Sequence, residues 1–192
     1  MLDFRRLSAM PGGFARWRVA VRLSGATATL CLAALACGGI ARAQTPSRGS
    51  PLIGQAAPDF TLRGLAGRNV RLSDHRGDVV LLGFWTSWCG GCKAELEQIA
   101  RLHDTYRTAG LVVIGISLDD DRAKAAAFAT AHGGSVLHVF DSAKATGKPY
   151  QIADVPLTML VDRNGVVRFA HGEYSRRDEQ DLVQQVRQLL DE

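Results

Sequence analysis

Cysteine is scarce in this chain, four among 192 residues, and that scarcity excludes a disulfide scaffold. Proline (6) and glycine (20) are too few for a collagen-like or low-complexity chain. No stretch recurs at a solenoid period, so a repeat protein is excluded too. A surplus of one charge is lacking where it would matter. The net charge is +4, but residues 1–43 hold six arginines against the single acid Asp3, which leaves 17 basic and 18 acidic side chains over residues 44–192. A nucleic-acid surface therefore has no electrostatic support, and no nucleic-acid partner is expected. What the chain does have is apolar substance. At 46% hydrophobic and 22% charged residues it can bury the core of one ordinary domain.

The basic excess belongs to a leader. Arg16, Arg18 and Arg22 precede an uncharged run, Leu23 to Ala41, which ends in Ala41-Arg42-Ala43. Positive region, apolar region and small-x-small site follow the order of a secretory signal, with cleavage expected after Ala43. The core of the run, residues 26–40, is short for a membrane span, which needs about 20 apolar residues. The alternative is an uncleaved anchor through residues 23–41, and either way the domain is expected outside the cytoplasm, as in a periplasm. Ala34-Leu35-Ala36-Cys37 and Arg5-Arg6-Leu7 are only fragments of a lipidation box and a twin-arginine signal. Residues 44–56 read as a linker and 57–192 as the folded domain.

Cleavage would leave Cys89 and Cys92 alone. A pair so close in sequence closes almost no loop and adds little stability, so its expected use is reaction. The surrounding pattern supplies a setting for it. Phe60–Leu62 and Asn69–Leu72 bracket a Gly-containing turn and suggest a leading hairpin. Residues 78–85 (DVVLLGFW) and 111–117 (LVVIGIS) are continuous apolar runs, the mark of strands covered on both faces. A helical pattern follows Cys92 to about Thr108. A second helix is expected from Arg122 to His132, with Asp119–Asp121 available as its cap. A short strand is expected at Val136–Phe140. Leu157–Val161 and Val166–Ala170 flank the Asn164-Gly165 turn. A closing helix at about 177–190 carries Leu182, Val183, Val186, Leu189 and Leu190 on one stripe. The fold class expected is α/β, a mixed central sheet flanked by helices.

A Cys-x-x-Cys between a buried strand and a helix is the arrangement that dithiol–disulfide exchange requires. Cys89 is expected at the helix N-terminus, where free N–H groups favour a thiolate, and is read as the nucleophile. Cys92, one turn on, is read as the resolving thiol. A zinc site would need four closely spaced ligands, and the only other candidates are His103, and His132 with His138 about 40 residues away. No metal and no other cofactor is expected.

Ala57-Pro58-Asp59-Phe60-Thr61-Leu62, Leu72-Ser73-Asp74-His75-Arg76-Gly77, the stretch Gly83 to Cys92 and the stretch Val155 to Gly165 together resemble the TlpA/ResA/DsbE-type thioredoxin-like proteins. The resemblance implies a thioredoxin-like fold with a family insertion in the Asp119–Tyr150 region, and an exported thiol–disulfide oxidoreductase, typically a reductant. It also implies that Pro156 is a cis-proline beside the cysteines, with Val155 pairing with a client while Trp88 and Leu157 give apolar contact. Implied partners are client thiols or disulfides, apocytochrome c in cytochrome c maturation among them, and a membrane thiol–disulfide electron donor. Thioredoxins proper bury an aspartate six residues before the first cysteine, but this chain has Gly83, which cannot act as a base. Glu95, at the edge of the apolar stripe formed by Cys92, Leu96, Ile99 and Tyr106, leans back toward Cys92. Partial burial would fit it to take the Cys92 proton. Two other functions stay open on sequence. Thr86-x-x-Cys89 is part of a peroxiredoxin motif, although Leu82 stands where that motif has proline. A non-enzymatic copper-binding module would usually space its cysteines by three residues and add a placed histidine.

Overall fold

The computed structural model describes residues 50–172 and 176–192, without the side chains of 176–178. The expected signal or anchor at 1–43 and the linker stretch 44–49 lie outside the described residues. Within them, no helix is long and apolar enough to cross a membrane.

Seven strands form one mixed sheet: β1 (Thr61–Gly64), β2 (Asn69–Arg71), β3 (Val79–Trp85), β4 (Leu111–Ser117), β5 (Leu137–Phe140), β6 (Leu157–Val161) and β7 (Val167–Gly172). Their spatial order is β2-β1-β5-β4-β3-β6-β7. β3, β4 and β5 run parallel, and the two flanking hairpins, β1–β2 and β6–β7, are antiparallel. Among the described residues three α-helices flank the sheet: α1 (Cys92–Tyr106), α2 (Arg122–His132) and α3 (Arg176–Asp191). This is the α/β sandwich that the sequence implies, with α2 and β5 supplying the inserted crossover.

Strand periodicity sorts the core into two layers. Val79, Leu81 and Trp85 of β3 face a cluster with Leu96, Ile99 and Leu102 of α1, Ala125 and Ala129 of α2, and Leu182, Val186 and Leu189 of α3. Val80, Leu82 and Phe84 face the other way, into a cluster with no residue of the three α-helices, covered by Leu52, Ala57, Leu72 and Tyr150. All seven β3 residues are buried, as a continuous apolar run requires. The Tyr150 hydroxyl donates to the Pro58 carbonyl at 2.6 Å and clamps two coil segments over that second layer.

Two expectations change here. Of the linker placed at 44–56, residues 50–56 pack on the domain: Leu52 is buried, and Gly54 and Gln55 exchange backbone hydrogen bonds with Val167. One buried apolar side chain and an open strand edge are enough to hold this segment down. The first helix also starts late. Gly91 is its N-cap and Cys92 its first residue, so Cys89 lies just ahead of the helix instead of in its first turn. Glycine costs about 1 kcal/mol relative to alanine in a helix, and Gly90-Gly91 delays the start.

Candidate active site

Cys89 and Cys92 are joined as a disulfide with Cα atoms 5.3 Å apart. The turn that brings them together is bonded through its backbone, Cys89 N–H to the Thr86 carbonyl and Cys92 N–H to the Cys89 carbonyl, each at 3.3 Å. Cys92 is completely buried, whereas Cys89 is partly exposed and its neighbour Trp88 is 77% exposed. Position alone gives the two sulfurs different tasks. The reachable Cys89 can meet another molecule, and the buried Cys92 can meet Cys89.

The stretch before β6 closes over this turn. The Val155–Pro156 peptide bond is cis. Cys89 Sγ lies 3.5 Å from the Val155 carbonyl oxygen. A Cβ on Gly91 would sit 3.6 Å from the Pro156 ring, so residue 91 rests against the proline with room for little more. Beside Val155, Pro156 and Leu157 opens a groove of about 760 Å³ that reaches Pro51 and Gly172. Of the four residues expected to contact a client, these three border the groove, while Trp88 stands on the cysteine side and does not line it.

Glu95 is only 8% exposed, on the buried stripe of α1 with Cys92, Leu96 and Ile99. Burial pushes its carboxyl up to about 7, opposed by the Thr158 hydroxyl, which donates to Glu95 Oε1. A carboxyl so placed can exchange a proton near neutral pH. Gly83, where thioredoxins carry an aspartate, pairs with Thr158 across β3 and β6. A Cβ at Gly83 would come within 2.9 Å of Ile99 Cδ1, so Ile99 occupies the room a side chain would need.

Sequence reasoning missed Asp119. It was expected among the caps of α2, but Asp121 alone does that, accepting from the Ala123 and Lys124 N–H groups. Asp119, 3% exposed, instead accepts from the Ser87 N–H (3.0 Å) and hydroxyl (2.8 Å) and from the Ser117 hydroxyl (2.9 Å). It ties the end of β4 to the loop that carries Trp88 and Cys89. Nothing local marks this bond, since its partners are 32 residues apart. Thr158 was missed for the same reason. In the peroxidase-like stretch, Thr86 is buried with its hydroxyl unpartnered, and Leu82 is a fully buried strand residue on the layer away from the helices. Among the described residues no group of three or more His, Cys, Asp or Glu is placed to hold a metal.

The sequence matches the AhpC/TSA family over residues 53–170. It is 33% identical over 116 residues to the thiol-disulfide oxidoreductase ResA of Geobacillus kaustophilus, covering 60% of this chain and 67% of that one. A Chlorobium tepidum structure assigned as the thiol:disulfide interchange protein DsbE superposes with a TM-score of 0.69 at 34% identity, covering 72% of this chain and 97% of that one. A Bacteroides thetaiotaomicron structure assigned as a protein disulfide isomerase gives 0.68 at 33% identity, with 73% and 91% covered.

Proposed function

The chain belongs to the AhpC/TSA family and is a thiol–disulfide oxidoreductase, and from that premise we propose that it works outside the cytoplasm as a reductant of client protein disulfides. Cys89, as thiolate, attacks one sulfur of the client disulfide. That S–S bond breaks, the second client sulfur leaves as a thiolate, and a Cys89–client disulfide forms. Glu95 then takes the proton of the Cys92 thiol, and the Cys92 thiolate attacks Cys89 Sγ. The remaining client sulfur leaves as a thiolate, and both client thiolates are protonated from Glu95 and water. The client has gained two electrons, and the protein holds the Cys89–Cys92 disulfide. A membrane dithiol donor must reopen it for the next cycle. Trp88, Val155, Pro156 and Leu157 receive an extended client segment, its backbone pairing with Val155. Apocytochrome c, whose haem-attachment cysteines must be reduced, is the client class the family resemblance favours.

The observation that carries the exchange mechanism is Glu95, a carboxyl pushed up to about 7 by burial on the same helical stripe as the buried Cys92. Stopped-flow reduction of a disulfide-bonded peptide across pH tests it. Glu95→Gln should slow the Cys92 step by about ten- to a thousandfold and leave the first attack by Cys89 nearly unchanged. Superimposable pH profiles would dismiss Glu95 as the base. Direction is tested by the potential of the pair. A value well below about −200 mV fits a reductant, and one near about −120 mV, as in strong oxidants, reverses the assignment.

A further inference from the structure

The scheme above gives Thr158 no task, yet Thr158 is 1% exposed and its hydroxyl is committed to Glu95. Residues 155–158 touch the site in three places. The Val155 carbonyl approaches Cys89 Sγ, the Pro156 ring abuts Gly91, and Thr158 Oγ1 donates to Glu95 Oε1. Across the sheet from Thr158 stands Gly83, which offers no side chain, with Ile99 packed above it. Among the described residues Thr158 is thus the one side chain that hydrogen-bonds to Glu95.

We propose that Thr158 is a positioning residue: by donating to Glu95 it holds that carboxylate in its proton-accepting form, and so ties the strand that receives the client to the step that Cys92 completes. The proposal rests on the reading of Glu95 as the base for Cys92. A hydrogen bond donated to a carboxylate favours its ionised state, while burial disfavours it. These two influences act on Glu95 in opposite directions, and burial is the larger. In the oxidised protein, where the disulfide keeps Cys89 and Cys92 from titrating, no neighbouring charge competes with them. β3, β4 and β6 carry no ionisable side chain. On α1, Lys93 is exposed, Glu97 meets His132 of α2, and Arg101 meets Glu179 of α3. Arg122 of α2 is engaged by the Gly64 and Leu65 carbonyls, and His171 of β7 contacts Gln185. A β-branched residue is stiff at χ1, so threonine can hold its hydroxyl on one target where serine would rotate more freely.

The test uses the full chain in its oxidised form for a carbon-13 NMR titration of the Glu95 carboxyl, and the reduced form for stopped-flow exchange with a disulfide-bonded peptide. Thr158→Val keeps the shape and removes the donor. It should move the Glu95 midpoint up by about 1 to 2 pH units. At pH 7 it should slow the Cys92 step by roughly tenfold or more, with the Cys89 attack unchanged. Thr158→Ser should restore much of both, and Thr158→Val combined with Glu95→Gln should behave as Glu95→Gln alone. If Thr158→Val does not fold, Thr158→Ala takes its place with the same expectation. A wild-type titration and profile in the Thr158 variants, alongside a slowed Cys92 step in Glu95→Gln, would overturn the proposal and leave Glu95 as the base. An unchanged profile in Glu95→Gln overturns the base assignment and the proposal with it.

Discussion

Glu95→Gln should change how stability depends on pH, independently of any catalytic assay. A carboxyl that titrates near 4.5 when exposed and at about 7 in the fold binds its proton more tightly in the folded state. The folded form then carries more protons than the unfolded form between those values, and stability falls as pH rises across that window. It is complete below about pH 4.5 and reduced once pH passes about 7. Each pH unit between the two midpoints is about 1.4 kcal/mol, so the ionised form costs the fold on the order of 3 kcal/mol at pH 8. Glutamine cannot ionise and retains an oxygen that can accept from Thr158. Relative to wild type, Glu95→Gln should therefore gain about 3 kcal/mol between pH 4 and pH 8, a relative shift on the order of 1 to 2 M in urea midpoint. Urea unfolding of the oxidised protein at a series of pH values measures it. With the disulfide closed neither cysteine titrates, and His103 and His138, both depressed by burial, are common to the two proteins and cancel in the difference. A stability difference that stays flat from pH 4 to pH 8 would refute the claim that burial controls this carboxyl.

Cys92→Ser should leave Cys89 able to form a long-lived mixed disulfide with clients, and Cys89→Ser should abolish exchange; trapping with mass spectrometry reads both, and capture through position 92 reverses the assignment. Asp119→Ala strands the Ser87 N–H and two hydroxyls, so thermal or urea unfolding should show a loss of about 2–4 kcal/mol, and the Trp88 fluorescence anisotropy should fall as the loop is released. Gly83→Asp should destabilise by about 3 kcal/mol or more, because it buries a charge and drives a Cβ onto Ile99; Ile99→Ala in the same chain should recover part of that loss. Peroxide consumption by the reduced protein should stay near the rate of an ordinary thiol, which a coupled peroxidase assay checks.

Much of the fold is visible in sequence because the strongest elements announce themselves by period. Leu111–Ser117 is a strand and Arg122–His132 a helix at the limits their apolar runs and caps indicate. The cysteine pair is legible because its spacing is its function. What the sequence hides is contact between distant segments. Asp119 and Ser87 are 32 residues apart, and Thr158 and Glu95 63 apart. Each looks locally like something ordinary, a helix cap or a strand threonine. The late start of α1 was hidden for a different reason. Apolar spacing locates a helix face, but its first residue depends on the backbone preference of Gly90-Gly91 against tertiary packing. Residues 50–56 follow a Pro/Ser/Gly-containing stretch, and nothing local gives warning that Leu52 is drawn into the core.

The pairing of residues 54–57 with the start of β7 bears on how the sheet's edges meet other chains. A sheet ends in two rows of unsatisfied N–H and C=O groups, each a template for another chain. Here one terminal strand, β2, is only three residues long and carries Asn69 and Arg71 outward. The other, β7, is partly capped by the molecule's own polypeptide. A protein that opens client disulfides, as proposed above, meets many extended segments, and an open border would collect them indiscriminately. With one border shortened and the other partly occupied, adhesion is discouraged along the sheet's margins, which leaves Val155, on the reading proposed above, as the place for a client strand to pair.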